Sequence, residues 1–184
     1  GIYTLSEKKR VYPKGNLASQ ILGFVGIDNQ GLSGIELSFE KYLKGEEGKL
    51  LTESDPKGRE LLSAFTREIK PSEPGMNLFL TIDEGVQFFA EQEIRNVVKK
   101  YDAESGSITV LDIKSGEILA MAGFPDFNPN AYFKFKDEFW RPKAVTDLYE
   151  PGSTFKLITV AAALEEGIIS EKDVIFCPET LVIG

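Results

Sequence analysis

The spacing of hydrophobic residues changes character at PSEPG, residues 71–75, which is typical of a linker or turn. Before this segment, short apolar stretches such as LASQILGFVG are separated by glycines. Ile35, Phe39 and the Tyr-Leu pair at 42 and 43 recur at the spacing of one helical face. A short amphipathic helix is therefore predicted there, ending at Gly45.

The residues after the linker have the pattern of a larger α+β domain. NLFLTI, residues 77–82, predicts a strand, and Asp83 is placed to cap the helix that follows it. The apolar residues of this helix repeat every three or four positions, which predicts a single inward face. They are Val86, Phe89, Ala90, Ile94, Val97, Val98 and Tyr101.

Two β-rich runs in GSITVLDIKSGEILAMAG flank Lys114, Ser115 and Gly116, which predicts a β-hairpin. Apolar residues occupy both alternating sets of positions in the first run, and this favours a sheet covered on both faces. Residues 124–150 then form a predicted long loop, of a length that usually has a function or lines a site. Its aromatic residues could line a groove, but packing within the loop is the favoured interpretation. They are Tyr132, Phe133, Phe135, Phe139 and Trp140.

The loop leads to EPGSTFKLITVAAALEEG, residues 150–167, where a serine follows Pro-Gly at the start of a predicted helix that ends at Gly167. Ser153 and Lys156 are three positions apart, so their β-carbons lie about 5–6 Å from each other on one helix face. A desolvated lysine can be neutral often enough to accept a serine proton. The positive end of the helix dipole favours an alkoxide or a carboxylate. This arrangement predicts an activated serine.

Histidine is absent from the sequence, which excludes Ser-His-Asp and Cys-His catalysis and His-ligated zinc within this chain. An activated serine here would need another base. The net charge of -8 argues against a nucleic-acid partner, because phosphates need a basic surface. The sequence contains no phosphate-binding loop or metal-ligand cluster, so no cofactor is expected. Its longest apolar run, residues 157–164, is too short to span a membrane.

The Ser-x-x-Lys spacing carries little information by itself, since most such pairs are solvated surface residues. The chain contains four such pairs: Ser6/Lys9, Ser38/Lys41, Ser54/Lys57 and Ser153/Lys156. Only the fourth pair follows a Pro-Gly turn and precedes a long, nearly uncharged helix. A lysine on so apolar a helix requires a reason to be there.

EPGSTFK resembles the first active-site motif of the penicillin-binding transpeptidases. RVYPKGNLASQILGFVG and GLSGIELSFEKYLKGEEGK are similar to the N-terminal, non-catalytic module of class B, monofunctional penicillin-binding proteins. LTIDEGVQ and SGSITVLDIKSGEILAMAGFPDFNPN resemble the start of their transpeptidase domain. The resemblance covers nearly the whole chain in the family's order. Glu150 before Pro-Gly favours the cell-division or sporulation branch.

The resemblance implies an α+β chain with two domains. Residues 1–72 would form the non-catalytic pedestal, a dimerisation-type module in which Arg10 and Glu36 pair. Residues 73–184 would form the incomplete N-terminal part of a transpeptidase domain, which has helices on both faces of an antiparallel sheet. The family's Ser-x-Asn and Lys-Thr-Gly motifs do not follow Lys156. We therefore expect an N-terminal fragment, inactive alone, whose fold is completed by a second polypeptide or by the remainder of the protein.

The resemblance also implies roles for Ser153 and Lys156. Ser153 would be the nucleophile that attacks the D-Ala-D-Ala carbonyl of a peptidoglycan stem peptide, and Lys156 would be the base. β-Lactams would acylate the same serine. The protein would act at the extracytoplasmic face of a bacterial cytoplasmic membrane, with any anchor outside this chain, beside membrane-associated cell-wall synthesis or division proteins.

Two other functions are compatible with the sequence. The chain could act mainly as a non-catalytic pedestal that docks partners of the division or elongation machinery. A hydrolytic or β-lactam-sensing member of the same superfamily is the other alternative, and the N-terminal module argues against it.

Overall fold

A computed structural model describes residues 9–46, 48–50 and 69–176. The chain divides into two compact units, residues 1–147 and residues 148–184. The elements of the first unit are α1 (Ser19–Leu22), α2 (Gly34–Ser38), α3 (Glu40–Leu43), β1 (Lys49–Leu50), β2 (Ile69–Lys70), α4 (Glu84–Tyr101), β3 (Gly106–Leu111), β4 (Ile118–Phe124), two 3-10 turns (Pro129–Lys134 and Asp137–Trp140) and α5 (Lys143–Thr146). The second unit contains a 3-10 turn (Gly152–Phe155) and α6 (Lys156–Glu165). None of the helices in these described ranges is long and apolar enough to cross a bilayer.

The amphipathic helix predicted before Gly45 consists of two short helices, α2 and α3, which meet at Phe39. The backbone of Phe39 has φ -114° and ψ 17°, outside the helical range. Gly45 follows α3 with φ +70°, as predicted for the residue that ends this segment. The prediction of one continuous helix was wrong because hydrophobic periodicity persists across a local backbone distortion.

The predicted linker at residues 71–75 is irregular, but it is hydrogen-bonded to the N-terminal part of the unit. β1 and β2 pair antiparallel, with Lys49 opposite Lys70. The pairing continues as a bridge in which Glu46 and Glu73 exchange backbone hydrogen bonds of 2.9 and 3.0 Å. This stretch therefore joins the two halves of the unit through main-chain contacts.

Residues 77–82 lead into α4 and belong to no strand in the described part of the chain. The strand prediction was wrong there, because a strand needs a hydrogen-bonded neighbour and no described strand pairs with this segment. The helix that follows was predicted correctly. The Asp83 side chain accepts a hydrogen bond of 2.9 Å from the Val86 N–H, which is the expected N-cap of α4.

The buried face of α4 differs from the predicted one. It contains Gln87, Ala90, Glu91, Ile94 and Val98, whereas Phe89, Val97 and Tyr101 are exposed. The buried positions follow a strict helical stripe of three- and four-residue steps. The prediction was correct for Ala90, Ile94 and Val98. It missed the two polar members of the stripe and added apolar residues from the exposed side, because the search was restricted to apolar residues.

The predicted β-hairpin is confirmed. β3 and β4 pair antiparallel from Gly106 opposite Phe124 to Leu111 opposite Ile118, with a register shift near Leu111. α4 covers one face of this two-stranded sheet. Its core side chains there include Ala90, Ile94, Val98, Ala120 and Ala122. At the other alternating positions of β3, Thr109 and Leu111 are exposed. α5 also contacts both strands, so the predicted second cover of the sheet is present only in part in the described residues.

Arg10 and Glu36 form the ion pair that was predicted within the N-terminal part. The Arg10 guanidinium contacts both carboxylate oxygens of Glu36, with Nε–Oε1 at 2.8 Å and Nη2–Oε2 at 3.0 Å. The Tyr12 hydroxyl donates to Glu36 Oε1 at 3.3 Å and accepts from the Val25 N–H at 3.1 Å. Burial and the neighbouring carboxylate raise the pKa of the Tyr12 hydroxyl. This bidentate pair is a structural contact that ties the start of the described chain to α2.

A buried polar network joins α1, α4 and β4. Gln87 Nε2 donates to Met121 O at 3.1 Å, and the Met121 N–H donates back to Gln87 Oε1 at 2.8 Å. Gln87 Nε2 also donates to Glu91 Oε1 at 2.8 Å. The same Glu91 oxygen accepts from the N–H of Ala18, the residue before α1, at 2.7 Å. Ala18 has φ +54°, so this bond stabilises a left-handed backbone that alanine rarely adopts.

Glu91 makes stability depend on pH. Burial raises the pKa of its carboxyl, so the folded chain holds the proton more tightly than the unfolded chain does. The free energy of unfolding therefore falls as pH rises from the unfolded value, about 4.3, through the higher folded value. We expect Glu91→Gln, which keeps an acceptor oxygen, to be more stable than the wild type at pH 7 and equal to it below about pH 4.

Urea unfolding at the two pH values measures this difference. Glu93→Gln is the matched control, because Glu93 is exposed on the same helix. It is expected to change the free energy of unfolding only slightly, because it removes no buried contact. A gap between Glu91→Gln and the wild type that does not change with pH would contradict the assignment.

Candidate active site

Ser153 and Lys156 lie where the second unit begins its helix. Ser153 is in the 3-10 turn Gly152–Phe155, and Lys156 is the first residue of α6. The Lys156 N–H donates to the carbonyls of Ser153 and Thr154, so the turn continues directly into the helix. The predicted helix with Ser153 in its first turn is confirmed, with that turn wound as a tighter 3-10 helix.

Gly152 sets the backbone of the turn. Its φ is +54°, in the left-handed region that glycine adopts at no steric cost. A β-carbon at this position would have no atom within 4 Å, so glycine is needed for the backbone angle and not for space. At the other end of α6, Gly167 has φ +65° and its N–H donates to Leu164 O at 3.1 Å. The predicted end of the helix is therefore confirmed.

The hydroxyl of Thr154, next to Ser153, is hydrogen-bonded within the turn. Thr154 Oγ1 donates to the Pro151 carbonyl, and the Thr154 N–H donates to the same oxygen at 3.1 Å. Ser153 and Lys156 are both exposed, and no hydrogen bond joins their side chains in the described residues. Such contacts are often loose in a ligand-free site and tighten when a substrate binds. The geometry leaves the Ser153 hydroxyl accessible to an incoming carbonyl.

The Ser153 N–H is a second group available at this site. The Ser153 N–H makes no backbone hydrogen bond in the described residues, as expected for one of the first N–H groups of a helix. It lies at the positive end of the helix dipole. A carbonyl attacked by the serine oxygen would develop negative charge beside this donor. The arrangement suits acyl transfer, and the ranges that the structure describes contain no acidic or cysteine cluster suited to a metal ion.

The apolar side chains of α6 and of the turn before it are exposed in this structure. Leu157 is 78% exposed, and four other apolar side chains of the turn and the helix are exposed to a smaller degree. They are Phe155, Ile158, Val160 and Leu164. A helix this apolar is normally buried on several sides. Lys156 is exposed as well, so the desolvation that was expected around it is not present in the described residues.

Sequence reasoning missed the buried polar side chains that hold the first unit together. Gln20 is 5% exposed, and Gln87 and Glu91 are buried on α4. The signal for the last two was present: residues 87, 91, 94 and 98 follow one helical stripe. No comparable signal marks Gln20, whose contacts lie more than a hundred positions away in the chain.

Two family models match the chain in succession. The model for the penicillin-binding protein dimerisation domain matches residues 1–80, and the model for the penicillin-binding protein transpeptidase domain matches residues 106–182. Ser153 and Lys156 both lie within the second match. The predicted division at residues 72 and 73 stays a prediction.

Curated relatives and solved structures match over most of the chain. Peptidoglycan D,D-transpeptidase FtsI of Escherichia coli K12 is 38% identical over 175 residues, which is 95% of this chain and 29% of that protein. Stage V sporulation protein D of Bacillus subtilis is 40% identical over 173 residues, covering 94% of this chain and 27% of that protein. Penicillin-binding protein 3 of Mycobacterium tuberculosis, solved in complex with ampicillin, is 29% identical with a TM-score of 0.72. That match covers 91% of this chain and 33% of the solved one.

The chain thus spans less than a third of the length of these curated relatives. The sporulation protein among them is in keeping with the branch that Glu150 favours. Both family models, the relatives and the solved structure agree on one family, in the domain order that the sequence motifs indicate. The chain therefore belongs to the class B penicillin-binding proteins, with their dimerisation module followed by part of their transpeptidase domain.

Proposed function

We propose that the whole protein is a peptidoglycan D,D-transpeptidase in which Ser153 is the nucleophile and Lys156 the base. One observation carries the proposal: Ser153 follows the left-handed Gly152 at the start of α6, within the segment that matches the transpeptidase domain. The match to FtsI, whose name is peptidoglycan D,D-transpeptidase, supports the same activity. With no histidine in these 184 residues, a lysine one helical turn away is the base that this segment offers.

The proposed reaction has two steps. Ser153 Oγ attacks the carbonyl carbon between the two D-alanines of a stem peptide, while Lys156 Nζ takes the hydroxyl proton. An ester bond to Ser153 forms, the amide C–N bond breaks, and the terminal D-alanine leaves with the proton on its amine. The amine of a neighbouring stem peptide then attacks the ester. A new amide bond forms, and the proton returns to Ser153 Oγ.

The Ser153 N–H would stabilise the oxyanion of both tetrahedral intermediates. Removing one such donor in other acyl-transfer sites costs about 3–4 kcal/mol of barrier. A β-lactam presents the same kind of carbonyl, so it would acylate Ser153 by ring opening. The ampicillin complex of the Mycobacterium tuberculosis relative supports this class of inhibitor. The exposure of Lys156 leads us to expect that the 184-residue chain by itself is acylated slowly or not at all.

The two modules would have different roles. Residues 1–72 would be the pedestal and residues 73–184 the start of the catalytic domain. A cavity of about 590 Å³ in the first unit is lined by Val11, Tyr12, Met76 and Phe79 among others. Its exposed apolar side chains favour docking of membrane-associated cell-wall synthesis or division proteins as a second role. The place of action would be the extracytoplasmic face of a bacterial cytoplasmic membrane.

Intact-mass spectrometry of the whole protein with penicillin G tests the proposed activity. We expect one adduct with the full mass of the drug, because ring opening forms the ester without losing an atom. Tryptic mapping should place the adduct on the peptide of residues 144–156, which ends at Lys156. An adduct on another peptide, or none on a folded protein, would contradict the proposal.

A further inference from the structure

The strand β4 has a composition that favours pairing with other strands. Its sequence, ILAMAGF, contains no charged residue and no proline. An open strand edge presents unpaired N–H and C=O groups to other chains, and proteins commonly block such edges with charges or prolines. β3 occupies one edge of β4. The opposite edge, which we call the outer edge, therefore needs another form of protection.

The side-chain amide of Gln87 closes the middle of the outer edge. The Met121 N–H donates to Gln87 Oε1 at 2.8 Å, and Gln87 Nε2 donates back to Met121 O at 3.1 Å. A residue on a neighbouring antiparallel strand would make the same reciprocal pair of bonds with Met121. The amide of Gln87 thus takes the place that the peptide groups of a further strand would have.

The orientation of this amide is fixed by its surroundings. Gln87 is only 1% exposed. Besides its bond to Met121 O, its Nε2 donates to Glu91 Oε1 at 2.8 Å. Both N–H groups of the amide and its oxygen therefore have partners. Turning the amide away from β4 would leave buried polar groups without hydrogen bonds, which costs about 1–3 kcal/mol for each group.

The chain before α4 closes only the start of the outer edge. The Asp83 N–H donates to Leu119 O at 2.9 Å, and Thr81 Oγ1 donates to Ile118 O at 2.7 Å. In the described residues, these bonds extend no further along β4 than Leu119. The outward main-chain groups of Met121 would be open without the glutamine amide.

We propose that the outer edge of β4 is a latent interaction surface for a second copy of this chain, and that Gln87 keeps it closed. Two identical strand edges can pair antiparallel about a twofold axis. β4 carries no charge that would repel its own copy, so β4 of a second molecule is the partner that an open Met121 would take. The inference is independent of the proposed role of Ser153, because all of its contacts lie in the first unit.

Gln87→Met tests the proposal in the whole protein. Methionine fills a similar volume but cannot form the pair of bonds with Met121. Whatever the oligomeric state of the wild type, we expect the weight-average mass from light scattering at equal concentration to rise towards about twice the wild-type value. Gln87→Asn keeps the amide on a shorter side chain and should give a smaller rise. Gln92→Met changes an exposed glutamine of the same helix and should keep the wild-type mass.

A proline in β4 separates edge pairing from loss of stability. Met121→Pro, combined with Gln87→Met, removes the outward N–H that a second strand would bond, while the bonds to β3 remain. We expect this double variant to return to the wild-type mass, whereas association caused by partial unfolding would increase. Association that persists in the double variant, or wild-type mass in folded Gln87→Met and Gln87→Asn, would overturn the inference. Loss of folding in both single variants would also overturn it, since Gln87 would then be required for the fold itself.

Discussion

Replacing Ser153 with alanine is expected to abolish the penicillin adduct of the whole protein completely. The proposed ester needs the serine oxygen, and alanine supplies no atom that can form it. Ser153 is exposed, so the loss of its hydroxyl removes no buried contact in this structure. The variant should unfold at the wild-type temperature. Intact-mass spectra recorded before and after incubation with penicillin G measure the result directly.

The neighbouring hydroxyl provides the control for this experiment. Thr154 lies one position further along the same turn, and its hydroxyl donates to the Pro151 carbonyl. Thr154→Val removes that hydroxyl at nearly constant volume and should still give a single adduct. An adduct that persists in Ser153→Ala at the wild-type rate would show that a different residue is the nucleophile.

Several local elements of both units could be predicted from the sequence because their signals are local. Asp83 caps α4, Lys114 to Gly116 turn the hairpin, and Gly152 turns the chain before Ser153. Each depends on a backbone conformation that only a few residue types favour. The family resemblance depends on motifs of the same kind and is confirmed by both family models.

The features that could not be predicted depend on contacts between distant parts of the chain. Gln20 donates to the carbonyls of Pro125 and Phe139, more than a hundred positions away, and nothing adjacent to it in sequence indicates these partners. Glu91 is on the buried stripe of α4 because the Ala18 N–H and Gln87 satisfy its oxygen there. The helical stripe of residues 87, 91, 94 and 98 indicates its position, but charged residues are rarely buried, so residue type alone favours solvent for Glu91. Residues 77–82 have the composition of a strand, but composition cannot supply a neighbouring strand.

The burial of the apolar helix α6 is the feature of the site on which the sequence prediction and the structure differ. The sequence predicts a buried helix, because nearly all residues after Lys156 are apolar as far as Leu164. The described structure leaves these side chains exposed. Burial of α6 in the whole protein would also remove water from around Lys156, since the lysine is on the same helix. Water exclusion is the condition under which a lysine can act as a base.

Two substitutions of Lys156 test that role, and we expect both to reduce the second-order rate constant of acylation by about 10²–10⁴. Lys156→Met removes the amine from a chain of similar length. Lys156→Arg keeps a positive charge, but the guanidinium stays protonated and cannot accept the serine proton. Single-turnover acylation with penicillin G, followed by mass spectrometry, measures the rate constants. Lys172→Met changes an exposed lysine of the same unit and should leave the rate unchanged.

The comparison of the two variants separates two roles that lysine could have. If Lys156 only attracts the carboxylate of the substrate, arginine should preserve most of the rate while methionine loses it. If Lys156 takes the proton from Ser153 Oγ, the protonated guanidinium of arginine cannot replace it, because it has no free electron pair that could accept the proton. Both variants should then be slow. An arginine variant within a few fold of the wild type would therefore contradict the proposed base. The serine would then need a different proton acceptor, which cannot be a histidine of these 184 residues.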